Sequence, residues 1–172
     1  MKGQDYENLR KSFQPDTVRV LLVGESRPQN GMFFYIGDSR LAKYTFEAFS
    51  IEYGRFQDIK SFLIAFKYLG CYLVDLCTDP VNGLPPDARK VACVNGEDPL
   101  SLTISELAPR AIIVVKKSIE QSVNRALNRT ILNCIPKFIL PFPAQGHECE
   151  YVQRLADAIS ILRSEGVLPS HI

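Results

Sequence analysis

The sequence predicts an α/β fold, a three-layer sandwich in which helices cover both faces of a central, mainly parallel sheet of about four strands. Four short apolar runs, each followed by polar or turn-forming residues, are typical of strands buried on both faces of a parallel sheet. These runs occupy residues 18–23, 71–77, 111–115 and 138–140. The segments between them have apolar residues at helical spacing. Strand and helix therefore alternate along the chain.

The length and composition are those of one globular domain, spanning residues 1–172, with a polar extension at residues 1–17. Hydrophobic residues make up 46% of the chain, charged residues 23%, and the formal net charge is +1. This balanced charge excludes a dedicated nucleic-acid coat protein. Because the chain has no apolar run of about 18 residues and its amino terminus lacks the apolar core of a signal peptide, we expect no membrane partner and a cytoplasmic location.

The five cysteines are widely spaced and include no Cys-x-x-Cys pair. In a chain without a signal peptide, we interpret them mostly as small buried hydrophobic residues rather than as disulfides. Their spacing indicates neither a zinc site nor an iron–sulfur site, so we expect no metal and no cofactor.

The first half of the chain is predicted to contain two strands with two helices between them. Residues 38–70 have two sets of apolar residues at helical spacing, separated by Gly54. Asp38 or Ser39 is expected to cap the first helix, because either side chain can accept a hydrogen bond from an unpaired backbone N–H. Gly70 is expected to end the second helix, directly before the second strand.

The second half continues the same alternation. Residues 81–86 are predicted to form a loop from their turn chemistry, and two short helices are predicted at residues 87–93 and 99–107. A helix follows the third strand, and a proline-rich loop follows the fourth. The final helix is predicted at residues 148–163, with one apolar stripe.

The end of the first strand is the expected functional site. Open α/β folds place their ligands at the carboxyl edge of the sheet, where this strand ends. Gly24 lets the backbone turn tightly or approach a ligand closely. Glu25, Ser26 and Arg27 then supply an acid, a hydroxyl and a cation within three residues.

Other chemistry-bearing residues are expected at the same edge. Phe33 and Phe34 form an aromatic cluster that could be the wall of a pocket. Asp75 lies in an apolar strand, where a buried carboxylate is costly unless it is paired or hydrogen bonded. We therefore place Asp75 at the strand end in a polar pocket, or as the cap of a loop. Lys116 and Lys117 directly follow the third strand.

The order of these segments resembles that of the uracil-DNA glycosylase superfamily. Residues 24–28, Gly-Glu-Ser-Arg-Pro, followed by the aromatic pair, resemble its first motif. Residues 72–77, with the proline-containing loop behind them, resemble the strand whose end reads the base edge. Residues 111–127 resemble the third strand and its helix, and residues 140–147 stand where the family has His-Pro-Ser or Asn-Pro-Ser. The resemblance covers residues 18–162 and depends on four weak motifs in one order.

The resemblance implies a uracil-DNA glycosylase-like fold and a divergent DNA glycosylase that hydrolyses the N-glycosidic bond of a modified or mismatched base, with DNA or a nucleotide as partner. The implied catalytic residues are Glu25, Ser26 and His147. The implied base-binding residues are Gly24, Phe33, Phe34 and Asp75. The implied nucleic-acid-binding residues are Arg27, Lys116, Lys117, Pro143 and Gln145.

Each role follows from side-chain chemistry within that resemblance. Glu25 or Ser26 is expected to activate or orient water, Phe34 to stack on the base, and His147 to stabilise the departing base. Asp75 stands where the family has an asparagine that reads uracil. Because an ionised carboxylate accepts hydrogen bonds but does not donate them, Asp75 suits a base edge that bears an amino group better than it suits uracil. The last motif reads Phe-Pro-Ala, with no polar residue at its first or third position.

A structural interpretation stands beside each catalytic one. Glu25 could pair with Arg27 or another exposed cation, the two phenylalanines could be core residues, and His147 could cap the last helix or be exposed. The alternative function is a non-catalytic domain that binds a nucleobase-like ligand, a nucleotide or a protein partner. A basic mouth would favour the enzyme, because DNA phosphates must be neutralised, whereas a neutral or acidic mouth would favour the alternative. The candidate basic residues are Arg27, Arg40, Lys43, Lys116 and Lys117.

Overall fold

A computed structural model describes residues 3–172 of the chain, which contain four strands and seven α-helices. The strands are Val20–Gly24 (β1), Cys71–Asp75 (β2), Ala111–Val115 (β3) and Lys137–Leu140 (β4). The helices are Gly3–Ser12 (α1), Arg40–Tyr53 (α2), Ile59–Tyr68 (α3), Pro86–Asn95 (α4), Glu97–Leu107 (α5), Glu120–Asn128 (α6) and Glu148–Ser164 (α7). Single 3₁₀ turns at Phe34–Ile36 and Lys117–Ile119 precede α2 and α6.

The four strands form one parallel sheet in the order β2-β1-β3-β4. In the register, Val20 lies opposite Cys71 on one side and Ala111 on the other. Consecutive residues of a strand point to opposite faces of the sheet, and Leu21 and Leu22 are both fully buried, so both faces are covered. The predicted α/β class, with a parallel sheet of four strands, is confirmed.

The strand order distributes the helices over the two faces. Parallel connections are almost always right-handed, so the step from β1 to β2 places α2 and α3 on one face. The steps back across the sheet to β3 and β4 place α4, α5 and α6 on the opposite face. Helix α7 packs against α2, and α5 packs against α6, which agrees with this division.

The predicted signals at helix ends were largely confirmed. Ser39 caps α2 by accepting a hydrogen bond from the backbone N–H of Ala42 at 3.1 Å. Asp38 instead accepts from the N–H of Phe33 at 2.7 Å, which fixes the preceding turn. Gly70, with φ of 79°, follows the end of α3. Such positive φ values favour glycine.

The segment predicted as a polar extension contains helix α1. Its residues are mostly polar, but Tyr6 is buried, with its ring 5.1 Å from that of Phe33 in an edge-to-face arrangement. The Tyr6 hydroxyl also donates to the carbonyl of Gly31 at 3.1 Å. Residues 1–2 of the predicted extension lie outside the described residues. One buried aromatic therefore ties this polar helix to the loop after β1.

The outer edge of the sheet at β2 is closed by a side chain. The hydroxyl of Tyr35 donates to the carbonyl of Leu73 at 3.0 Å and accepts from the N–H of the same residue at 2.7 Å. These two backbone groups point away from β1 and would otherwise lack a partner on the sheet edge. Burial raises the pKa of Tyr35 well above its usual value, so the hydroxyl stays protonated.

Within residues 3–172, no helix is both long enough and apolar enough to cross a lipid bilayer.

Candidate functional site

The candidate site lies where the connections of the sheet diverge. The connection that leaves β1 runs over one face, and the connection that leaves the neighbouring strand β3 runs over the other. Open parallel sheets have a crevice at such a point, outside the carboxyl ends of the two strands. Here Glu25 and Ser26 follow β1, and Lys116 follows β3.

A cavity of about 270 Å³ opens at this edge. Small-molecule sites commonly span about 300–1,000 Å³, so this cavity suits a ligand at the small end of that range. Its apolar wall contains Phe33, Phe34, Leu41, Leu73 and Phe142. The predicted residues Gly24, Glu25, Ser26, Arg27 and Asp75 line the same cavity, together with Lys116. The fold thus brings together most of the side chains that the sequence indicated.

Glu25 is held by two cations. The Nε of Arg89 donates to its Oε1 at 2.7 Å, and the Nη2 of Arg89 donates to Oε2. The Nζ of Lys116 donates to Oε2 at 2.6 Å. Burial opposes ionisation, but the hydrogen bonds from Arg89 and Lys116 outweigh it and hold the pKa of Glu25 below its usual value. Glu25 is therefore a fixed anion whose lone pairs are largely occupied.

Lys116 reaches Glu25 from a strained backbone position. Its φ is 143°, a value that residues other than glycine rarely adopt. Strain of this kind persists where the surrounding structure holds it, and it clusters at functional sites. The salt bridge to Glu25 is the contact that holds the lysine side chain at the mouth of the cavity.

Asp75 has the opposite environment. It ends β2, beside Gly24, and among residues 3–172 no hydrogen bond or ion pair satisfies its carboxyl group. Burial raises the pKa of Asp75 to about 6, and the more distant charge of Arg10 offsets only part of this effect. The carboxyl group can therefore gain or lose a proton near neutral pH, and it faces the cavity without a protein partner.

Asp75 also connects the cavity to a second one. That cavity, of about 500 Å³, lies between α1 and α5 and is lined in part by Arg10, Arg27 and Glu106. Asp75, Arg27 and Phe33 line both cavities. The wall between the two cavities therefore consists of predicted site residues.

Gly24 permits the close approach of the two strand ends. A Cβ atom at this position would lie 2.7 Å from Oδ1 of Asp75. Ser26 has a structural contact, because its Oγ accepts a hydrogen bond from the N–H of Val81 at 3.2 Å. This bond fixes the loop after β2 against the loop after β1, and the catalytic role of Ser26 stays a prediction.

Phe33 and Phe34 belong to the core and also line the cavity. They are only 4% and 3% exposed. Phe33 packs against Tyr6, and Phe34 packs against Tyr35 and Phe66. Both of the interpretations made from sequence, core residue and pocket wall, therefore apply to them. Stacking of Phe34 on a base stays a prediction.

The cavity lining contains four cations, and its acidic residues are Glu25 and Asp75. The cations are Arg27, Arg40, Arg89 and Lys116. The guanidinium of Arg27 lies 4.9 Å from the centre of the Tyr6 ring, and Arg40 is 3.6 Å from Glu148.

Other predicted residues lie apart from the cavity lining. Lys117 pairs with Glu150 at 3.3 Å, and Lys43 lies over the ring of Tyr44. His147 is exposed, and its Nδ1 is 3.2 Å from Oε2 of Glu150.

His147 makes no side-chain cap at the start of α7, so of the two structural alternatives only the exposed position is confirmed. Pro143 is buried, whereas Gln145 is exposed and has a positive φ of 58°. Their roles in nucleic-acid binding stay predictions.

The lining residues that the sequence analysis did not assign to the site include Asn82, Arg89 and Phe142. Arg89 lies 64 residues from its partner Glu25, on a helix that has no motif of its own. Asn82 lies in the loop predicted from turn chemistry, and Phe142 lies in the proline-rich loop after β4. Both residues follow the end of a strand, and this position in the sequence could have identified them as candidates for the site.

Within residues 3–172, no group of histidine, cysteine or acidic side chains is arranged to hold a metal ion.

The sheet and the cavity define the class of this protein. It is an α/β protein with a cationic, apolar-walled cavity at the carboxyl edge of a parallel sheet. No protein-family model matches the chain, and no curated protein matches it.

Proposed function

We propose that the cavity binds a nucleobase and that the protein is a divergent, glycosylase-like hydrolase of the N-glycosidic bond to a modified or mismatched base. The observation that carries the proposal is the carboxyl group of Asp75, which has no hydrogen-bond or ion-pair partner among residues 3–172, a pKa of about 6 and a position in an apolar-walled cavity. A group of this kind is suited to proton transfer near neutral pH. We propose that the cations of the cavity lining, among them Arg27, meet the phosphates of the ligand.

Asp75 has two uses in such a site. As a carboxylate it accepts a hydrogen bond from an amino group on a base edge, which fits its partner-free position. In hydrolysis, the hydroxyl of water bonds to the sugar carbon, the bond to the base breaks, and a proton reaches the departing base. A carboxyl group with a pKa of about 6 can take the proton from water or deliver it to the base.

Glu25 is less suited to the same task. Its two oxygen atoms accept hydrogen bonds from Arg89 and Lys116, which favour its ionised form. A carboxylate held in this way is a weak base. We therefore assign proton transfer to Asp75, and we assign to Glu25 the positioning of Arg89 and Lys116 at the mouth. Orientation of the attacking water by Glu25 stays a prediction.

The resemblance of residues 18–162 to the uracil-DNA glycosylase superfamily supports the proposal. The resemblance implies that Gly24, Phe34 and Asp75 bind the base, and these three residues line one cavity. We propose the glycosylase-like version of the α/β sandwich on the same grounds.

The test is a base-release assay. Short single- and double-stranded oligonucleotides carrying uracil, hypoxanthine, xanthine or mismatched bases are incubated with the wild-type protein and with Asp75→Asn and Glu25→Gln variants. We expect release by the wild type and a loss of about 100-fold or more in Asp75→Asn, the scale of a missing proton-transfer group. Asp79→Asn, at an exposed carboxylate just after β2, is the matched control and should keep full activity.

Two results would overturn the enzyme proposal. One is the absence of release from every substrate by the folded wild type. The other is release that is unchanged in Asp75→Asn, because the reaction would then proceed without the group to which we assign it.

A second candidate function is a non-catalytic domain that binds a nucleobase or nucleotide. Two observations on the predicted catalytic residues favour it. Glu25 already accepts hydrogen bonds from Arg89 and Lys116, and His147 does not line the cavity. Calorimetric titration with free bases, nucleotides and oligonucleotides separates the two functions. Binding that weakens in Asp75→Asn, without base release in any sample, would favour this candidate.

A further inference from the structure

Two thiol groups lie next to each other beside the cavity, and the proposed function does not use them. The Sγ atoms of Cys77 and Cys93 lie 3.8 Å apart, and both cysteines are free. Cys77 follows β2 at the edge of the sheet, and Cys93 lies in α4. The sulfur atoms of a disulfide are about 2.05 Å apart, so an approach of about 1.8 Å would join them.

Helix α4 is the element that can make this approach. No residue of α4 is buried, although Ala92 and Cys93 are partly buried against the core. The polar contact between α4 and the site is the pair of hydrogen bonds that Arg89 donates to Glu25. A helix with so few buried contacts can shift or open at low cost. Arg89 and Cys93 are four residues apart and share one face of this helix.

We propose that Cys77 and Cys93 form a reversible disulfide in the folded protein, and that this bond tethers α4, and with it Arg89, to the carboxyl edge of β2. The bond closes a loop between residues 16 positions apart. It would hold the Arg89 guanidinium on Glu25 at the mouth of the cavity. The inference depends on the thiol geometry and stands whether or not the cavity releases bases.

The chemistry needs a two-electron oxidant, and a small disulfide such as oxidised glutathione supplies it. Cys93 is half-buried, whereas Cys77 is only 4% exposed, so the thiolate of Cys93 attacks first. This attack forms a mixed disulfide and releases one molecule of glutathione. The sulfur of Cys77 then attacks that of Cys93 and releases the second. The protons that the two cysteines lose end on the two glutathione thiols.

Burial sets the speed of this exchange. It raises the pKa of Cys93 above the usual value and that of Cys77 to about 12, so both groups are thiols at neutral pH. Thiolates are the attacking species, so bond formation should accelerate as the pH rises from 7 to 9.

The test is peptide mapping of the full chain after oxidation by glutathione disulfide under native conditions. The background carries Cys134→Ser and Cys149→Ser, which remove the two exposed thiols. Trypsin places Cys77 in the peptide 68–89 and Cys93 in the peptide 91–110. We expect these peptides to be joined without reductant and separate with it. Cys93→Ser should abolish the joined species.

A second variant assigns the partner of Cys93, because the peptide 68–89 also contains Cys71. Cys77→Ala should abolish the joined species as Cys93→Ser does. Hydrogen exchange of residues 86–95 in the oxidised protein should slow by about tenfold or more, because the tether suppresses local opening of α4. Added reductant should restore the original exchange rate.

Three results would overturn the inference. The first is the absence of joined peptides in the folded, oxidised protein. The second is their persistence in Cys77→Ala, which would assign the bond to Cys71. The third is an unchanged exchange rate in residues 86–95, which would show that the bond does not tether the helix.

Discussion

Asp75 and Glu25 end neighbouring strands, yet their carboxyl groups have pKa values displaced in opposite directions. Burial raises the pKa of Asp75 to about 6, because the more distant charge of Arg10 offsets only part of the lost hydration. Glu25 is partly buried, but hydrogen bonds from Arg89 and Lys116 outweigh this burial and lower its pKa. Pairs of carboxyl groups with separated pKa values are typical of sites that move protons. The difference arises from two cations that approach one carboxylate and not the other.

The raised pKa of Asp75 predicts a specific pH dependence of stability. The folded state binds the proton more tightly than the unfolded state, whose Asp75 has the usual pKa of 3.8. The free energy of unfolding should therefore fall as the pH rises from 4 to 6, and the full penalty should be present above pH 6. Asp75→Asn should remove this dependence and stabilise the protein at pH 7 by about 2–3 kcal/mol.

Urea unfolding of the wild type and of Asp75→Asn between pH 4 and pH 8 measures this effect. The difference between the two proteins isolates Asp75 from the other titrating groups. Asp79→Asn, at an exposed position just after β2, is the control for the loss of one negative charge. A difference for Asp75→Asn that is constant with pH would contradict the raised pKa.

Among the elements, α1 shows how a polar segment can support a site. The buried ring of Tyr6 packs on Phe33 and lies under the guanidinium of Arg27. Its hydroxyl donates a hydrogen bond to the carbonyl of Gly31. All three partners lie in the loop that follows β1. The helix therefore fixes the loop that forms one side of the cavity.

Tyr6→Ala should lower the free energy of unfolding by about 2–4 kcal/mol, because it removes a buried ring. It should also increase hydrogen exchange in residues 25–33, since the ring holds that loop. Tyr6→Phe keeps the ring and loses only the hydrogen bond to Gly31, so it should cost about 1 kcal/mol. Chemical denaturation and exchange mass spectrometry measure both effects. An equal loss in the two variants would assign the stabilisation to the hydroxyl instead of the ring.

Gly96 joins α4 to α5 at a position where the backbone just after β2 lies very close. An added Cβ atom would lie 2.1 Å from the carbonyl oxygen of Leu76. That segment cannot move aside easily, because the N–H of Leu76 is bonded to the carbonyl of Gly24 at 2.9 Å. The glycine is therefore required by packing and not by its φ of −77°.

Gly96→Ala should lower the free energy of unfolding by about 2–4 kcal/mol. Gly3→Ala is the matched control, since among the described residues only its chain neighbours and its own helix backbone could lie within 4 Å of a Cβ atom there, and alanine favours the helix. Thermal unfolding of the two variants should show a large fall in Tm for the first and no fall for the second. Similar Tm values would show that α4 and α5 can separate from β2 without cost.

On the scale of the molecule, a buried hydrogen bond joins two helices that are far apart in sequence. The hydroxyls of Thr45 in α2 and Tyr151 in α7 lie 2.8 Å apart, and both residues are fully buried. Helices α2 and α7 pack on one face of the sheet, so the bond connects the first and last parts of the described chain.

Tyr151→Phe should cost about 1–2 kcal/mol, because it leaves the Thr45 hydroxyl buried without its partner. Tyr68→Phe, at a ring that is 82% exposed, should change the free energy of unfolding by less than about 0.5 kcal/mol. Guanidinium denaturation of both variants makes the comparison. A negligible cost for Tyr151→Phe would show that Thr45 finds another partner.

The fold class, the third strand and most of the site follow from local sequence. The prediction for residues 111–115 matches β3 in full, since five apolar residues ended by lysines have few alternatives. Gly24 and Asp75 were predicted because a glycine or a carboxylate in an apolar run is chemically unusual. Arg89 and Tyr6 were missed, because a lone arginine or tyrosine on a polar helix has no periodic pattern that identifies it.

By itself the sequence determined the four strands, the helices between them and the strand ends at which polar residues collect. Those features depend on neighbours within a few residues, where hydrophobic spacing and turn chemistry act. Only the tertiary structure decided which cations reach Glu25, that Asp75 has no hydrogen-bond partner within residues 3–172, and that Cys77 lies next to Cys93. These facts depend on residues between 16 and 91 positions apart, and on distances that the order of the strands creates. Local sequence cannot encode them, because the packing of the whole chain sets which groups become partners.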